Sequence, residues 1–446
     1  MKEVCLKHVI VFTALVISTP AFAEDGLTLS ANTRLRYELI EGQPRVGFND
    51  SDDLFNVRTI VTGEYRSGNV RFGAELYDSR VYGGDIGTPV TTNEVNALEL
   101  VQAYVGYDAP GAFGTGTKLN LQAGRFTLNL GSRRLVAADD YRNTTNGYTG
   151  IRADIGLRHG LSATLIYTMP QVRLPDTRED IVNNRVKFDR ESFDLVLWGG
   201  LIAKKLASKR DTVELSFYHL GERDSGELAT RDRSLDTFSL RLFRDPAPAS
   251  IDFESDTIYQ LGSVSASTAP TAATLNESAW FTHFEFGYTF KHAWSPHLSF
   301  EFDYASGDSR EAKFSRFDTL FGMRRADLAP AGLYNAVGRS NLIASGARIE
   351  VNPTKRLDAF AAYRPLWLAS RFDSFSTTGV RDASGKSGSF AGHQFETRVR
   401  YWLIPKRLRL EWNGILLAKG RFMDTAPNAP ANGNSLYNSF NVTVSL

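Results

Sequence analysis

Cysteine is nearly missing from this chain. The single one, Cys5, precedes an N-terminal apolar run and falls inside the segment read below as a secretory leader. Without it the mature chain has no thiol, which excludes disulfides, thiolate metal sites and thiol catalysis. Long apolar runs are missing as well. Beyond the N-terminus no window of about 20 apolar residues occurs, so helices cannot carry this chain across a bilayer. A dominant charge is also missing: 51 basic residues face 50 acidic ones for a net charge of +1, and nothing in that balance argues for nucleic acid. Lysine is scarce, with 13 against 38 arginines, so the positive charge is carried by planar, forked donors.

The first 23 residues have the layout of a secretory leader: Lys2 and Lys7, an apolar core over 9–17, then Ala21-Phe22-Ala23 before Glu24. Removing it leaves 49 basic and 49 acidic residues. The remaining 24–446 are expected to form one unit, although 446 residues exceed an ordinary soluble core.

From residue 27 onward the chain alternates with period two. Such segments run 27–40, 54–65, 69–80, 94–107, 118–129, 147–156, 160–167, 190–201, 212–220, 234–243, 252–262, 278–290, 296–305, 341–352, 356–369, 390–403, 406–417 and 436–446, 18 in all. Their faces are distinct. Ser30, Asn32, Arg34, Arg36 and Glu38 oppose Leu29, Leu35, Tyr37 and Leu39; His283 and Glu285 oppose Phe284, Phe286, Tyr288 and Phe290. A soluble sandwich would put Lys and Glu on its polar face, whereas Arg, Asn, Asp and Gly dominate here, as in a wet lumen. Trp280, Trp294, Trp367, Trp402 and Trp412 near strand ends suit interfacial girdles.

The connections alternate too. Those at 41–53, 81–93, 130–146, 168–189, 307–340, 370–389 and 418–435 are long; those at 66–68, 157–159, 353–355 and 403–405 are short. This is the plan of an all-β, transmembrane, antiparallel up-and-down β-barrel of about 18 strands, with long external loops and short periplasmic turns. Strands begin soon after the leader, leaving no room for a plug domain. The final strand keeps Phe440, Val442, Val444 and Leu446 in phase, ending in Leu where Phe or Trp is commoner. The location implied is the outer membrane of a Gram-negative cell, with outer-membrane lipid and the barrel-assembly machinery as partners.

Candidate chemistry concentrates in 124–150, GRFTLNLGSRRLVAADDYRNTTNGYTG, where Arg125, Arg133, Arg134, Asp139, Asp140 and Arg142 crowd one long connection. Arginine forks bind carboxylates bidentately, and loops on a rigid scaffold carry function. These charges either bind a ligand or pin the loop to itself. In phase with the lumen stand Arg34, Arg36, Arg58, Arg152, Arg348, Arg364, Arg398, Arg400 and Arg409, interleaved with Glu38, Glu64, Glu350, Glu396 and Glu411. Such a ladder would draw anions through a low-dielectric tube, or brace the wall by cross-strand pairing. Beyond the leader the histidines His159, His219, His283, His292, His297 and His393 are scattered, with no Ser/His/acid spacing. No residue is assigned as catalytic or as a metal ligand, and no cofactor is expected. Asp50, Asp52 and Asp53 read as a solvated loop rather than a calcium site.

Several stretches resemble the alginate-export outer-membrane channel family: EVNALELVQAYVGY from Glu94, the 124–150 segment, FDTLFGMRRADLAPAGLYNAVGRSN from Phe317, RLDAFAAYRPLWLAS from Arg356 and GRFMDTAPNAPANGNS from Gly420. The resemblance implies a monomeric 18-stranded barrel with an arginine-lined constriction that passes an anionic oligosaccharide or polyuronate, served by a periplasmic export partner. It implies Arg125, Arg133, Arg134 and Arg142 at the pore. Against this stand a general or anion-preferring porin, a barrel enzyme, and a barrel closed by 307–340, whose Phe314, Phe317, Phe321 and Arg324-Arg325 suit inward folding.

Overall fold

The computed structural model describes residues 25–84, 87–208, 210–225, 229–324 and 327–446. The leader expected at 1–23, its cleavage site and Arg325 lie outside the described residues.

The chain forms β1 (Gly26–Glu41), β2 (Ser51–Ser67), β3 (Val70–Tyr82), β4 (Asn96–Pro110), β5 (Lys118–Thr127), β6 (Gly147–Gly156), β7 (Leu161–Pro170), β8 (Leu195–Lys205) and β9 (Asp211–Glu222). It continues through β10 (Ser234–Arg244), β11 (Ser250–Ser265), β12 (Thr274–Thr289), β13 (His297–Ala305), β14 (Leu342–Thr354), β15 (Leu357–Trp367), β16 (Phe390–Ile404), β17 (Leu408–Lys419) and β18 (Ser435–Ser445). Each strand pairs antiparallel with its neighbour in sequence, and β18 returns to β1, with Arg34 opposite Thr443 on one side and Arg58 on the other. Closure removes the sheet edge, so backbone polar groups are satisfied inside the wall. No helix among the described residues is long and apolar enough to cross a membrane; strands do the crossing.

The expected faces hold. Leu35, Tyr37, Val61, Tyr65, Phe284, Phe286 and Phe300 are exposed on the outside, while Arg34, Arg36, Asn56, His283, Glu301 and Asp303 are buried on the inside. Trp402 departs from the girdle expectation. It lies directly opposite Arg409, whose guanidinium sits over its ring at 5.5 Å, on the inner face.

Among the boundaries that shift, two do so for one reason. β5 ends at Thr127 instead of 129, and β8 begins at Leu195 instead of 190. Both ends yield residues to loops that turn into the barrel. The wet-lumen expectation fails in the outer half for the same reason. There Ile40, Leu54, Leu197, Leu220, Leu235, Phe281, Leu342, Leu366 and Leu417 point inward and pack on loop residues Leu128, Val136, Phe317, Leu333, Tyr334, Phe375 and Phe422 in one apolar cluster. Each fully buried Leu or Phe contributes roughly 1.5–3 kcal/mol, so the loops are held by a core of their own.

Candidate functional site

The third external loop, 128–146, crosses the lumen. Leu128 and Leu130 seat its start in the apolar cluster, and Gly131 at φ 53 turns the chain inward, where a side chain would be strained. Arg133 at φ 63 and Asp139 at φ 58 hold the same left-handed conformation without being glycine, a cost met only where surrounding contacts over-determine the backbone.

Those contacts come from arginines. From the wall, Arg34 donates to the carbonyls of Asp140 (3.1 Å) and Arg142 (2.7 Å), Arg58 to the same two (3.0 and 3.1 Å), and Arg36 to that of Tyr141 (2.6 Å). From the loop, buried Arg134 forks onto Asp327 at 2.7 Å, reaches Asp256 at 3.0 Å, and pairs with Glu254. Arg339 also pairs with Asp327. Arg134 thus ties the third loop to the wall and to the seventh, 306–341. Burial works against the Arg134 charge, but Asp327, Glu254 and Asp256 outweigh it and raise its pKa. Burial likewise opposes the Asp327 charge, yet Arg134 and Arg339 hold its carboxyl well below the usual range.

The other residues singled out in the sequence separate by partner. Arg125 bridges Glu99 (2.7 Å) and Glu191 (2.8 Å), and Arg152 meets Asp154 at 2.7 Å. Arg348 pairs with Glu350 and Arg364 with Glu301 and Glu396, while Arg398 and Arg400 share Asp358. Arg142 bonds Asn93 and Asn146 and pairs with Asp139 at 3.1 Å. Asp140 is exposed at the loop's tip. The Arg133 side chain has no hydrogen-bond partner among the described residues.

Above the third loop lies an outer vestibule of about 600 Å³, a size in the small-molecule range. Arg142, Arg173, Arg231, Arg316, Arg324 and Arg339 line it, against Asp139 and Asp318. Arg173 and Arg324, like Arg34 and Arg58 on the wall, have no carboxylate within salt-bridge reach among the described residues, but these two face the vestibule. Arg173 donates to Asn146 (2.6 Å), Asn93 (3.0 Å) and the Thr92 carbonyl (3.0 Å). Arg324 donates to Thr377 (3.1 Å) and the Asn335 carbonyl (3.2 Å). Burial, then Arg142, pushes Arg173 down to about 9; burial, then Arg45, pushes Arg324 down to about 10. Both stay charged at neutral pH, desolvated and facing like charge, which is the state an incoming anion relieves. Arg173 carries no strand-phase signal and escaped the sequence reading. Arg324 stood in the loop expected to fold inward.

Below the third loop a second chamber of about 760 Å³ opens at the turn end. Its arginines are compensated: Arg66 and Arg71 meet Asp108 at 2.8 and 3.0 Å, and Arg152 meets Asp154.

Two loop carboxyls near the vestibule give a pH dependence. Burial pushes Glu94 up to about 7, against hydrogen bonds from Thr91. Burial, then repulsion from Glu99, pushes Asp189 up to about 7, while it holds the Leu174 amide and Asn96. A raised carboxyl contributes stability that is complete below its unfolded value of about 4 and is lost as pH rises through its folded value. The loops at 83–95 and 171–194 are therefore expected to exchange amide hydrogens more slowly at about pH 5 than at about pH 8 after correction for intrinsic rates. Equal protection at both would contradict this.

A family model described as alginate export matches residues 26–435. A search of curated protein sequences finds no match. Among solved structures the chain is similar to OccK2 (OpdF) of Pseudomonas aeruginosa, solved in complex with glucuronate, at 12% identity and TM-score 0.59, covering 94% of this chain and 98% of that one. A BenF-like porin from Pseudomonas fluorescens Pf-5 gives 14% identity and TM-score 0.59, again over 94% and 98%. The outer membrane protein opdK of P. aeruginosa gives 11% and 0.58, over the same shares. At these identities the likeness speaks to the barrel fold.

Proposed function

Because the chain belongs to the alginate-export family, and is an outer-membrane channel by family and fold, we propose that it passes acidic sugars, uronates and short oligouronates. The observation that carries this is the pair Arg173 and Arg324, half-buried guanidinium groups on the wall of the outer vestibule with no carboxylate within salt-bridge reach among the described residues. A uronate supplies what they lack, a planar carboxylate that an arginine fork accepts bidentately, together with hydroxyls suited to Asn93, Asn146, Asn335 and Thr377 around them. The glucuronate in the OccK2 complex is a ligand of that chemistry on a similar barrel. The third loop, held across the lumen by Arg34, Arg36 and Arg58, favours short solutes over a polymer threading an open tube. The chain works as a monomer, and any periplasmic export partner would meet the short-turn end.

In planar bilayers under a salt gradient, the reversal potential is expected to show anion preference. Oligouronate added on the long-loop side is expected to block in a concentration-dependent way. A cation-preferring or unselective pore that ignores uronate would refute the assignment and leave a general porin on the family frame.

A further inference from the structure

We propose that Asp252, Glu285 and His297 bind one first-row divalent cation, zinc(II) above all, on the inner wall of the barrel. The three residues come from adjacent strands β11, β12 and β13, and one ligand atom of each lies within 4.8 Å of the others. Asp252 stands opposite Gly287 on β12, and Gly287 opposite Ser299 on β13, two residues past His297. β11 and β13 are not neighbours, yet His297 Nε2 reaches Asp252 Oδ1 at 3.0 Å and Oδ2 at 3.1 Å. Gly287 makes this possible, because a Cβ there would strike both His297 Nε2 and Asp252 Oδ1. Glu285, two residues along β12 on the same face, closes the triangle.

The charge arrangement sets the cluster apart. Several inner-wall carboxylates are answered by arginine: Glu254 by Arg134 and Arg241, Glu301 by Arg348 and Arg364, Asp358 by Arg398 and Arg400. Asp252 and Glu285 have no arginine or lysine within salt-bridge reach among the described residues. Asp252 has only His297. Glu285 has the Ser299 hydroxyl beside it and, as its basic neighbour, His283 Nε2 at 4.0 Å. His283 is itself 1% exposed, and that Nε2 is buried without a hydrogen-bond partner, while its Nδ1 is fixed by Asp303 at 2.9 Å. Two partly or fully buried carboxylates and an imidazole offer a dication three donor atoms in one place.

Donor type narrows the ion. One imidazole nitrogen and two carboxylate oxygens suit zinc, which takes three protein ligands and leaves a fourth position to water. Magnesium and calcium prefer all-oxygen shells. His283 then stands behind Glu285 as an orienting partner. The nearby group His283, Asp303 and Asp327 is not a second site, because Arg134 and Arg339 already neutralise Asp327.

The test is zinc chloride titration of the full chain folded in detergent, by calorimetry, with bound metal counted after dialysis. One zinc per chain is expected, with a raised melting temperature. Glu285→Gln and Asp252→Asn should each weaken binding about ten-fold or more, and His283→Gln about ten-fold, with heat-modifiable migration verifying a folded barrel. His393→Gln, which removes an imidazole bonded to Tyr363 on the outer face, should change nothing. No zinc on the wild-type chain would overturn the proposal. So would equal affinity in the Glu285 and Asp252 variants, which would assign the metal to exposed histidines and leave His297–Asp252 as an ordinary ion pair.

Discussion

Replacing Arg134 by alanine is expected to free the third loop while leaving the wall standing. The change strands Asp256, half of the Asp327 pairing and one partner of Glu254 in a buried setting. Removing one member of a buried ion network costs about 3–5 kcal/mol, because the remaining charges stay desolvated. The strand ladders from β1 to β18 do not involve this side chain, so the barrel should keep its heat-modifiable migration. The loss should appear in the loop: single-channel conductance rises, open-state noise grows, and protease cuts within 128–146. Arg134→Lys keeps the charge but not the fork and should fall between. Conductance and noise identical to wild type would show that the apolar seat of Leu128, Val136 and Phe317 alone holds the loop. The same logic separates two roles for the Arg133-Arg134 pair. A pinning role disturbs noise; a pore-lining role disturbs selectivity.

The second large effect belongs to the vestibule. Arg173→Gln combined with Arg324→Gln is expected to weaken uronate block by at least ten-fold and to move the reversal potential toward zero. A hydrogen bond to a charged group is worth about 1.5–3 kcal/mol, and each 1.4 kcal/mol or so is ten-fold in affinity. Stability should fall little, and even rise, because each guanidinium is half-buried beside like charge with no carboxylate in salt-bridge reach among the described residues. That combination, weaker binding without destabilisation, distinguishes ligand-facing arginines from structural ones. The same double change at Arg398 and Arg400, which share Asp358, should leave block intact. If block persists in the vestibule variant, the uronate is held elsewhere, and the lower chamber with Arg66, Arg71 and Arg152 is the next place to look.

Period and connection length were enough to set the wall. Eighteen strands, their inner and outer faces, and the alternation of long loops with tight turns all follow from a two-residue repeat and turn spacing, because a strand's side-chain direction is a local property. The reading failed where the outcome depends on residues far apart in the chain. Arg34 and Arg58 looked like free pore cations, yet they donate to carbonyls over eighty residues away. Arg364 lies in strand phase but is taken by Glu301 and Glu396. Arg173 shows no phase at all and faces the vestibule. An arginine's role here is decided by which groups meet its fork and whether it faces the vestibule. That meeting exists only once the third and seventh loops have folded into the barrel, where apolar burial of Leu128, Val136, Phe317 and Leu333 carries them.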